Sequence, residues 1–179
     1  MAVDSINQRL INPETRRAAF EELVRRFTPQ LYAQIRRMVL YHDDADDVLQ
    51  NTFMKAWLAL DTYRGDSQVS TWLYRIAMNE SLTFLQRQRE QVSLEQSEAA
   101  VVRNLQSDEF FDGDEIQAQL QAAIALLPDK QRMVFNLRYF SEMPYEEMSQ
   151  VLDTSVGALK ASYHFAVQKI KEHLGHVEI

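Results

Sequence analysis

The chain has 179 residues, enough for one large domain or two small ones, and its formal net charge is −7 at neutral pH. It contains no cysteine, which excludes disulfides, thiolate catalysis and thiolate metal sites. A chain this acidic has no broad basic surface with which to displace counterions from phosphates, so tight binding to DNA without a partner is not expected.

Composition and periodicity predict an all-α fold. Four glycines and four prolines are few for a chain of this length, and apolar residues recur at i, i+3 and i+4 through most of it. There is no run of 18 apolar residues, and no basic stretch followed by an apolar core comes after Met1. We therefore expect a cytoplasmic helical protein that does not insert into membranes.

The first predicted domain is a helical bundle over residues 1–90. Its apolar spacing breaks at residues 61–70, DTYRGDSQVS, where Gly65 and its polar neighbours indicate a loop. Four of the five positions 43–47 are aspartates, a composition favoured at a helix N-terminus by the helix dipole. Trp72 is expected in the core, and the apolar residues at helical spacing are Phe20, Leu23, Val24, Phe27, Leu31, Ile35, Met38, Val39, Val48, Leu49, Phe53, Ala56 and Trp57.

An acidic linker is predicted over residues 91–113, where the helical period is lost. The segment holds one arginine against five acidic residues, and its end reads SDEFFDG. A short helix around residues 101–105 is the alternative for part of this stretch.

The second predicted domain covers residues 114–179. One apolar stripe ends at Pro128, a second helix follows it, and Pro144 suits the first turn of a third helix. The inward residues expected on the first two helices are Ile116, Leu120, Ile124, Leu127, Met133, Val134, Leu137 and Phe140.

The end of the chain has the pattern of a helix-turn-helix. A short helix is followed by a tight turn at residues 153–155, and Ser155 is the expected N-cap of a longer helix. The inward side of the longer helix is predicted to be Leu159, Tyr163, Ala166 and Ile170. The outward side is predicted to be Ala158, Lys160, Ala161, His164, Phe165 and Gln168.

This outward side has residues suited to a major groove. The small alanines allow close approach to base edges, Lys160 reaches a phosphate, and Gln168 or His164 hydrogen-bonds to a phosphate or base. Phe165 has two interpretations: it covers a thymine methyl, or it packs against another protein or domain.

Several classes of protein are alternatives for these residues. A free-standing helix-turn-helix regulator accounts for the end of the chain but gives the acid-rich segment no role. An enzyme is disfavoured, because the four histidines form no HExxH pair and no glycine-rich phosphate loop occurs. We expect no cofactor and no metal site. A helical adaptor that binds neither DNA nor polymerase is the third alternative.

Three stretches together resemble one known family, the bacterial RNA polymerase sigma factors of the extracytoplasmic-function class. DADDVLQNTFMKAW resembles the core-binding segment of sigma region two, and YRGDSQVSTWLYRIAMNESL resembles its promoter-melting segment. LPDKQRMVFNLRYFSEMPYEEMSQVLDTSVGALKASYHFAVQKI resembles region four. The stretches occur in the family's order and span most of residues 20–172.

The resemblance gives the acid-rich segment a partner. In the family, this helix docks on the basic clamp helices of the polymerase β′ subunit, and the factor also contacts the β subunit. Asp47 and Gln50 match the family's core-contacting pair, while Asn51 stands where a glutamate is usual.

The resemblance also implies two DNA-binding elements. The first captures a base flipped from the minus-ten region, which costs a few kcal/mol that stacking and edge hydrogen bonds offset. By motif position its residues are Tyr63, Gly65, Asp66, Ser67, Arg75 and Asn79. The second element is the helix over residues 155–171, which would recognise the minus-thirty-five element. Its expected DNA-binding residues are Ser155, Ala158, Lys160, Ala161, His164, Phe165 and Gln168.

Region four departs from the family's pattern at four positions. Asp153 stands where the turn usually has glycine, and because aspartate tolerates a left-handed conformation better than most residues, the turn is expected to survive. Ser162, Phe165 and Val167 stand where many relatives carry arginine, so phosphate attraction is expected to be weak. We therefore predict that stable promoter binding needs the polymerase.

The family's function is transcription initiation without enzymatic activity. A member binds core polymerase, selects a promoter and helps to melt it, while RNA synthesis belongs to the polymerase. Members are commonly held inactive by an anti-sigma factor, and the sequence leaves open whether this chain has one.

Overall fold

The computed structural model describes residues 2–91, 101, 103–105, 107–111 and 115–175, and these ranges contain helices, turns and bends with no strand. The prediction of an all-α fold is confirmed. The principal helices are α1 (Ala2–Ile11), α2 (Arg16–Val39), α3 (His42–Ala59), α4 (Val69–Gln91), α5 (Glu115–Ala125), α6 (Asp129–Tyr139), α7 (Tyr145–Leu152) and α8 (Val156–Gly175). Short 3-10 turns lie at Leu60–Thr62 and Glu109–Phe111.

The chain divides into two compact units. The N-terminal unit comprises Met1–Phe84 with Gln150–Asp153, and the C-terminal unit comprises Leu85–Ser149 with Thr154–Ile179. Most of the predicted linker over 91–113 lies outside the described residues, so its boundaries stay a prediction.

The N-terminal unit is built on the long helix α2, which packs against α1 and α3. Apolar residues at helical spacing, including Leu23, Leu31 and Ile35, are fully buried along it. Each such side chain contributes about 1.5–3 kcal/mol by leaving water. From α1, Ile6 and Leu10 are buried as well, so the first helix is part of this core.

Trp57, one of the apolar residues at helical spacing, is 43% exposed. Its ring packs on Phe20 of α2, with centroids 5.1 Å apart, and its outer part faces solvent. At about 100° per residue, Trp57 lies about 140° around α3 from the buried Thr52, so it is turned away from the buried side of this helix. Trp72 is partly buried, between the two extremes of core and surface.

The core of the C-terminal unit joins α5, α6 and α8. Its buried cluster contains Ala123, Ile124, Leu127, Phe135, Ala166 and Ile170, with Leu120, Phe140, Tyr163, Val167 and Leu174 packed against it. The predicted inward residue Ile116 is wrong, since it is 63% exposed. The cluster begins at Leu120, one turn later, so Ile116 lies beyond the covered part of α5.

Arg132 closes the connection between α5 and α6 from inside the C-terminal unit. It is buried, donating hydrogen bonds from its guanidinium to the carbonyl oxygen of Ala125 at 3.3 Å and to the carboxylate of Asp129 at 3.1 Å. Burial lowers the pKa of Arg132 to about 10, which leaves it charged at neutral pH. The arginine thereby satisfies a carbonyl at the C-terminal end of α5.

Candidate functional site

Helix α3 has a buried side and an exposed side that run its full length. Ala45, Val48, Thr52 and Ala56 are buried against the N-terminal unit. The opposite side presents a line of exposed residues, which we call the α3 stripe: Asp47, Gln50, Asn51, Met54 and Leu58. Their spacing of three and four residues places them on one face at 100° per residue. The three residues matched by position to the core-contacting pattern therefore share this face.

The N-terminal turn of α3 concentrates negative charge. The pKa of the Asp44 carboxyl is raised, first by partial burial and then by repulsion from Asp47 and Asp43. His42 takes part in the same turn, with Nε2 3.2 Å from the Asp46 carboxylate and Nδ1 2.6 Å from the Tyr32 hydroxyl. Acids that repel one another in this way favour an approaching cation.

The C-terminal half of the α3 stripe is apolar and exposed. Met54 is 63% and Leu58 is 75% exposed. With Phe20, Gln50, Phe53 and Trp57 they line one groove between α2 and α3. A contiguous apolar patch next to polar groups is typical of a protein interaction surface.

Met54 and Leu58 are candidate binding residues that the sequence analysis missed. The available signal was the i+4, i+7 and i+11 continuation of the outward line from Asp47, which places two large apolar residues in solvent. A single exposed apolar residue is common on protein surfaces, whereas several on one face indicate an interaction surface.

The loop between α3 and α4 is held from inside by Tyr63. This residue is 7% exposed, its hydroxyl donates to the carbonyl oxygen of Ser67 at 3.1 Å, and its ring lies 4.7 Å from that of Trp72. Gly65 takes φ +75°, a left-handed conformation that suits glycine. The predicted base-pocket residue Tyr63 thus lies within the fold, while Asp66 is exposed.

Helix α4 continues the surface of this loop. Its first turn contributes Trp72, which contacts the loop through Tyr63. The following turns expose Arg75 and Asn79, four residues apart and so on one face. The structure therefore places the predicted minus-ten residues along a loop and the helix that follows it.

The turn before α8 has the predicted local geometry. Asp153 adopts φ +50°, which aspartate tolerates better than most residues. The Ser155 hydroxyl accepts a hydrogen bond from the backbone N–H of Ala158 at 3.2 Å, as expected of an N-cap. On α8, Leu159, Ala166 and Ile170 are buried, which confirms the inward side.

The outward side of α8 is exposed as predicted. Its exposed members are Ala158, Lys160, Ala161, His164, Phe165 and Gln168. Phe165 is 53% exposed, with its ring near that of its neighbour His164. The Lys160 ammonium lies 5.7 Å from the centre of the Tyr145 ring, which restrains it near the start of α8. This face has the shape for a groove but carries little positive charge.

Among the described residues, no three His, Cys, Asp or Glu side chains converge in a way that could hold a metal ion. None of the described helices has the length and hydropathy needed to cross a membrane.

Comparisons with known proteins match both units. The sequence model of Sigma-70 region 2 matches residues 23–91, and that of Sigma-70 region 4 matches residues 117–170. The ECF RNA polymerase sigma-E factor of Escherichia coli is 31% identical over 153 residues, covering 80% of each chain. The RNA polymerase sigma-H factor of Pseudomonas aeruginosa is 31% identical over 172 residues, covering 87% of this chain and 86% of the relative.

Solved structures of similar fold include CnrH in complex with the cytosolic domain of CnrY. It has a TM-score of 0.75 at 24% identity and covers 99% of this chain and 100% of that chain. The sigma factor RpoE of Bartonella quintana, in complex with the anti-sigma factor NepR, has a TM-score of 0.69 at 24% identity and covers 89% and 98%. At this identity the structures support the fold alone.

Sigma factors are initiation factors, not enzymes, and they partner with core RNA polymerase and promoter DNA. No comparison supports a stand-alone regulator. With both sigma regions matched in order and relatives 31% identical over four-fifths of their length, the chain belongs to the sigma factors of the extracytoplasmic-function class.

Proposed function

We propose that this chain binds core RNA polymerase through the α3 stripe and directs it to promoters. The observation that carries the proposal is the composition of this stripe, which joins exposed Asp47, Gln50 and Asn51 to exposed Met54 and Leu58. An acidic and polar end beside an apolar groove fits a partner helix that is basic at one end and apolar at the other. The basic clamp helices of the β′ subunit are the partner that the family implies.

The charges at the start of α3 also favour a basic partner. Asp44 is repelled by Asp47 and Asp43 in the free chain, and a basic partner would relieve that repulsion. A basic partner would therefore stabilise these negative charges more than water alone does. The apolar half adds area that leaves water on binding, at about 25 cal/mol per Å².

Promoter opening is assigned to the loop over residues 63–67 and to α4. Asp66, Arg75 and Asn79 are exposed there, and they offer edge hydrogen bonds and a phosphate contact to a flipped base. Tyr63 and Ser67 brace the loop through their hydrogen bond. Gly65 allows the turn between them.

Selection of the minus-thirty-five element is assigned to the outward side of α8. Ala158 and Ala161 permit close approach to base edges, while Lys160, His164 and Gln168 supply polar contacts. Phe165 is assigned to the same face. The scarcity of cations on it makes binding dependent on the polymerase.

The function is proposed to take place in the cytoplasm, where the polymerase acts.

We propose the domain division 1–90, 91–113 and 114–179, with the acidic linker joining the polymerase-binding and minus-thirty-five domains. An anti-sigma factor is a further partner that we propose for this chain; in a solved structure of similar fold, the sigma factor RpoE of Bartonella quintana is bound to the anti-sigma factor NepR.

The test is a titration of the full chain against bacterial core polymerase, comparing wild type with Asp47→Ala/Gln50→Ala. Loss of two charged or polar contacts is expected to weaken binding by about 10- to 100-fold. The matched control is Arg17→Ala/Glu21→Ala, which removes an exposed pair on α2 with a separation of 3.6 Å. Equal affinities for wild type and the α3 variant would contradict the assignment.

A further inference from the structure

Helix α1 is integrated into the N-terminal unit although the match to Sigma-70 region 2 begins only at residue 23. Its Ile6 and Leu10 are buried, and Arg9 pairs with Glu22 of α2 at 2.7 Å. The helix is therefore fixed in place, and a fixed element next to a binding loop can set that loop's geometry.

Arg16 connects the end of α1 to the start of the loop. Its Nε donates to the carbonyl oxygen of Leu10 at 3.0 Å, and its Nη2 donates to that of Ile11 at 3.3 Å. Its Nη1 donates to the carboxylate of Asp61 at 2.6 Å. One guanidinium thus satisfies two carbonyls at the C-terminus of α1 and holds the residue just before the loop.

Ile11 meets the loop at a second point. A methyl group placed on Gly65 would come within 3.1 Å of Ile11 Cδ1, so the isoleucine lies directly against the turn of the loop. Ile11 is 42% exposed, which is more than a purely core role would leave. Contact with α1 and the left-handed φ of Gly65 both disfavour any larger residue at this turn.

The loop is consequently held from two directions. Inside, the Tyr63 hydroxyl binds the carbonyl oxygen of Ser67, and outside, Ile11 and Arg16 hold Gly65 and Asp61. An exposed loop without such contacts samples many conformations, and binding must then order it.

We propose that α1 is a positioning element for base capture, with Ile11 and Arg16 as its positioning residues. They preorganise the loop over residues 63–67, so that the base flipped from the minus-ten strand meets a formed pocket. This inference rests on the proposed function and adds to it a segment that lies outside the matched sigma regions.

The test uses holoenzyme assembled from core polymerase and full-length Asp61→Asn or Ile11→Ala. Asp61 is 84% exposed, so its substitution leaves the core intact. The control is Glu21→Gln, which neutralises an acid of another exposed ion pair on α2. Three quantities are measured: affinity for core, affinity for a single-stranded minus-ten oligonucleotide, and the affinity ratio between that oligonucleotide and one substituted at the captured base.

Both variants are expected to bind core within about twofold of wild type and to bind the oligonucleotide about fivefold more weakly, with a smaller affinity ratio. Glu21→Gln should match wild type in all three quantities. Unchanged oligonucleotide binding and ratio, or an equal loss of core and DNA affinity, would overturn the role of α1. Failure of wild type itself to bind core would instead contradict the proposed function.

Discussion

The α3 stripe and the outward side of α8 are both exposed helical faces, but their residues suit different binding partners. The stripe begins at Asp47, beside Asp43 and Asp44, whose carboxylates repel one another, and its apolar end, Met54 and Leu58, lines a groove together with Trp57. The α8 face presents small and polar side chains with little positive charge. The difference indicates that affinity resides in the protein interface, while α8 supplies selection once the polymerase has brought it to DNA.

The largest expected effect comes from placing charge in the apolar half of the stripe. Met54→Asp/Leu58→Asp should weaken binding to core polymerase by at least about 100-fold, because unpaired carboxylates would be buried at the interface. Titration of labelled protein against core measures it. The control is Leu126→Asp, a charge on a 45% exposed leucine of the C-terminal unit. An unchanged affinity would mean that the groove lies outside the interface.

Removal of the cap of α8 should have a smaller effect, on the other surface. Ser155→Ala loses the hydrogen bond from the Ala158 N–H and should lower the free energy of unfolding by about 1 kcal/mol. Thermal or denaturant unfolding measures the loss, and Ser155→Asn should retain stability because asparagine caps equally well. Core affinity should be unaffected by either change. A parallel loss of core binding would contradict the assignment of core binding to the α3 stripe and of DNA binding to α8.

Restoring a cation to α8 should strengthen DNA binding modestly. Ser162→Arg adds one phosphate contact, so promoter affinity of the holoenzyme should rise a few-fold and its salt dependence should steepen by about 0.9 in the log–log slope. Binding at a series of salt concentrations measures both. Ser162→Gln is the control of similar polarity without charge. An unchanged slope would show that residue 162 does not approach phosphate.

The smallest effect concerns the charge at the start of α3. Asp47→Asn should lower the pKa of Asp44, because it removes a repulsion that favours the protonated carboxyl. The pKa should stay above the ordinary carboxylate value, since burial is the larger cause. An NMR titration of side-chain carboxyl carbons measures it, with Asp66→Asn as a distant control. An unmoved Asp44 pKa would remove the electrostatic part of the docking argument.

The same raised pKa makes stability depend on pH with a defined sign. The folded chain holds the Asp44 proton more tightly than the unfolded chain does, so this contribution to stability is present below the ordinary carboxylate range. It is lost as pH rises through the raised pKa.

Local features were largely predictable from the sequence. The inward side of α8 follows from its 3.6-residue period, and the Ser155 cap follows from the residue type at a helix start. The error at Ile116 has a physical cause. Periodicity reports which side of a helix is apolar, but not how far the neighbouring helices extend over it.

Contacts between distant elements could not be predicted in the same way. Arg16 and Asp61 are 45 residues apart, and nothing in either local pattern indicates that they meet. The Ile11–Gly65 contact depends equally on how α1 packs on α2. The residues that support the loop are therefore visible only in three dimensions, whereas its glycine and polar composition mark the loop itself.

The most direct test of the account compares promoter binding by the full chain with and without core polymerase. Promoter fragments would first be selected from genomic DNA by the assembled holoenzyme, and affinities would then be measured at physiological salt. We expect tight binding by the holoenzyme, and binding by the free chain no tighter than the roughly 10⁻⁴–10⁻⁶ M of non-specific association. Sub-micromolar, sequence-specific binding by the free chain would contradict it.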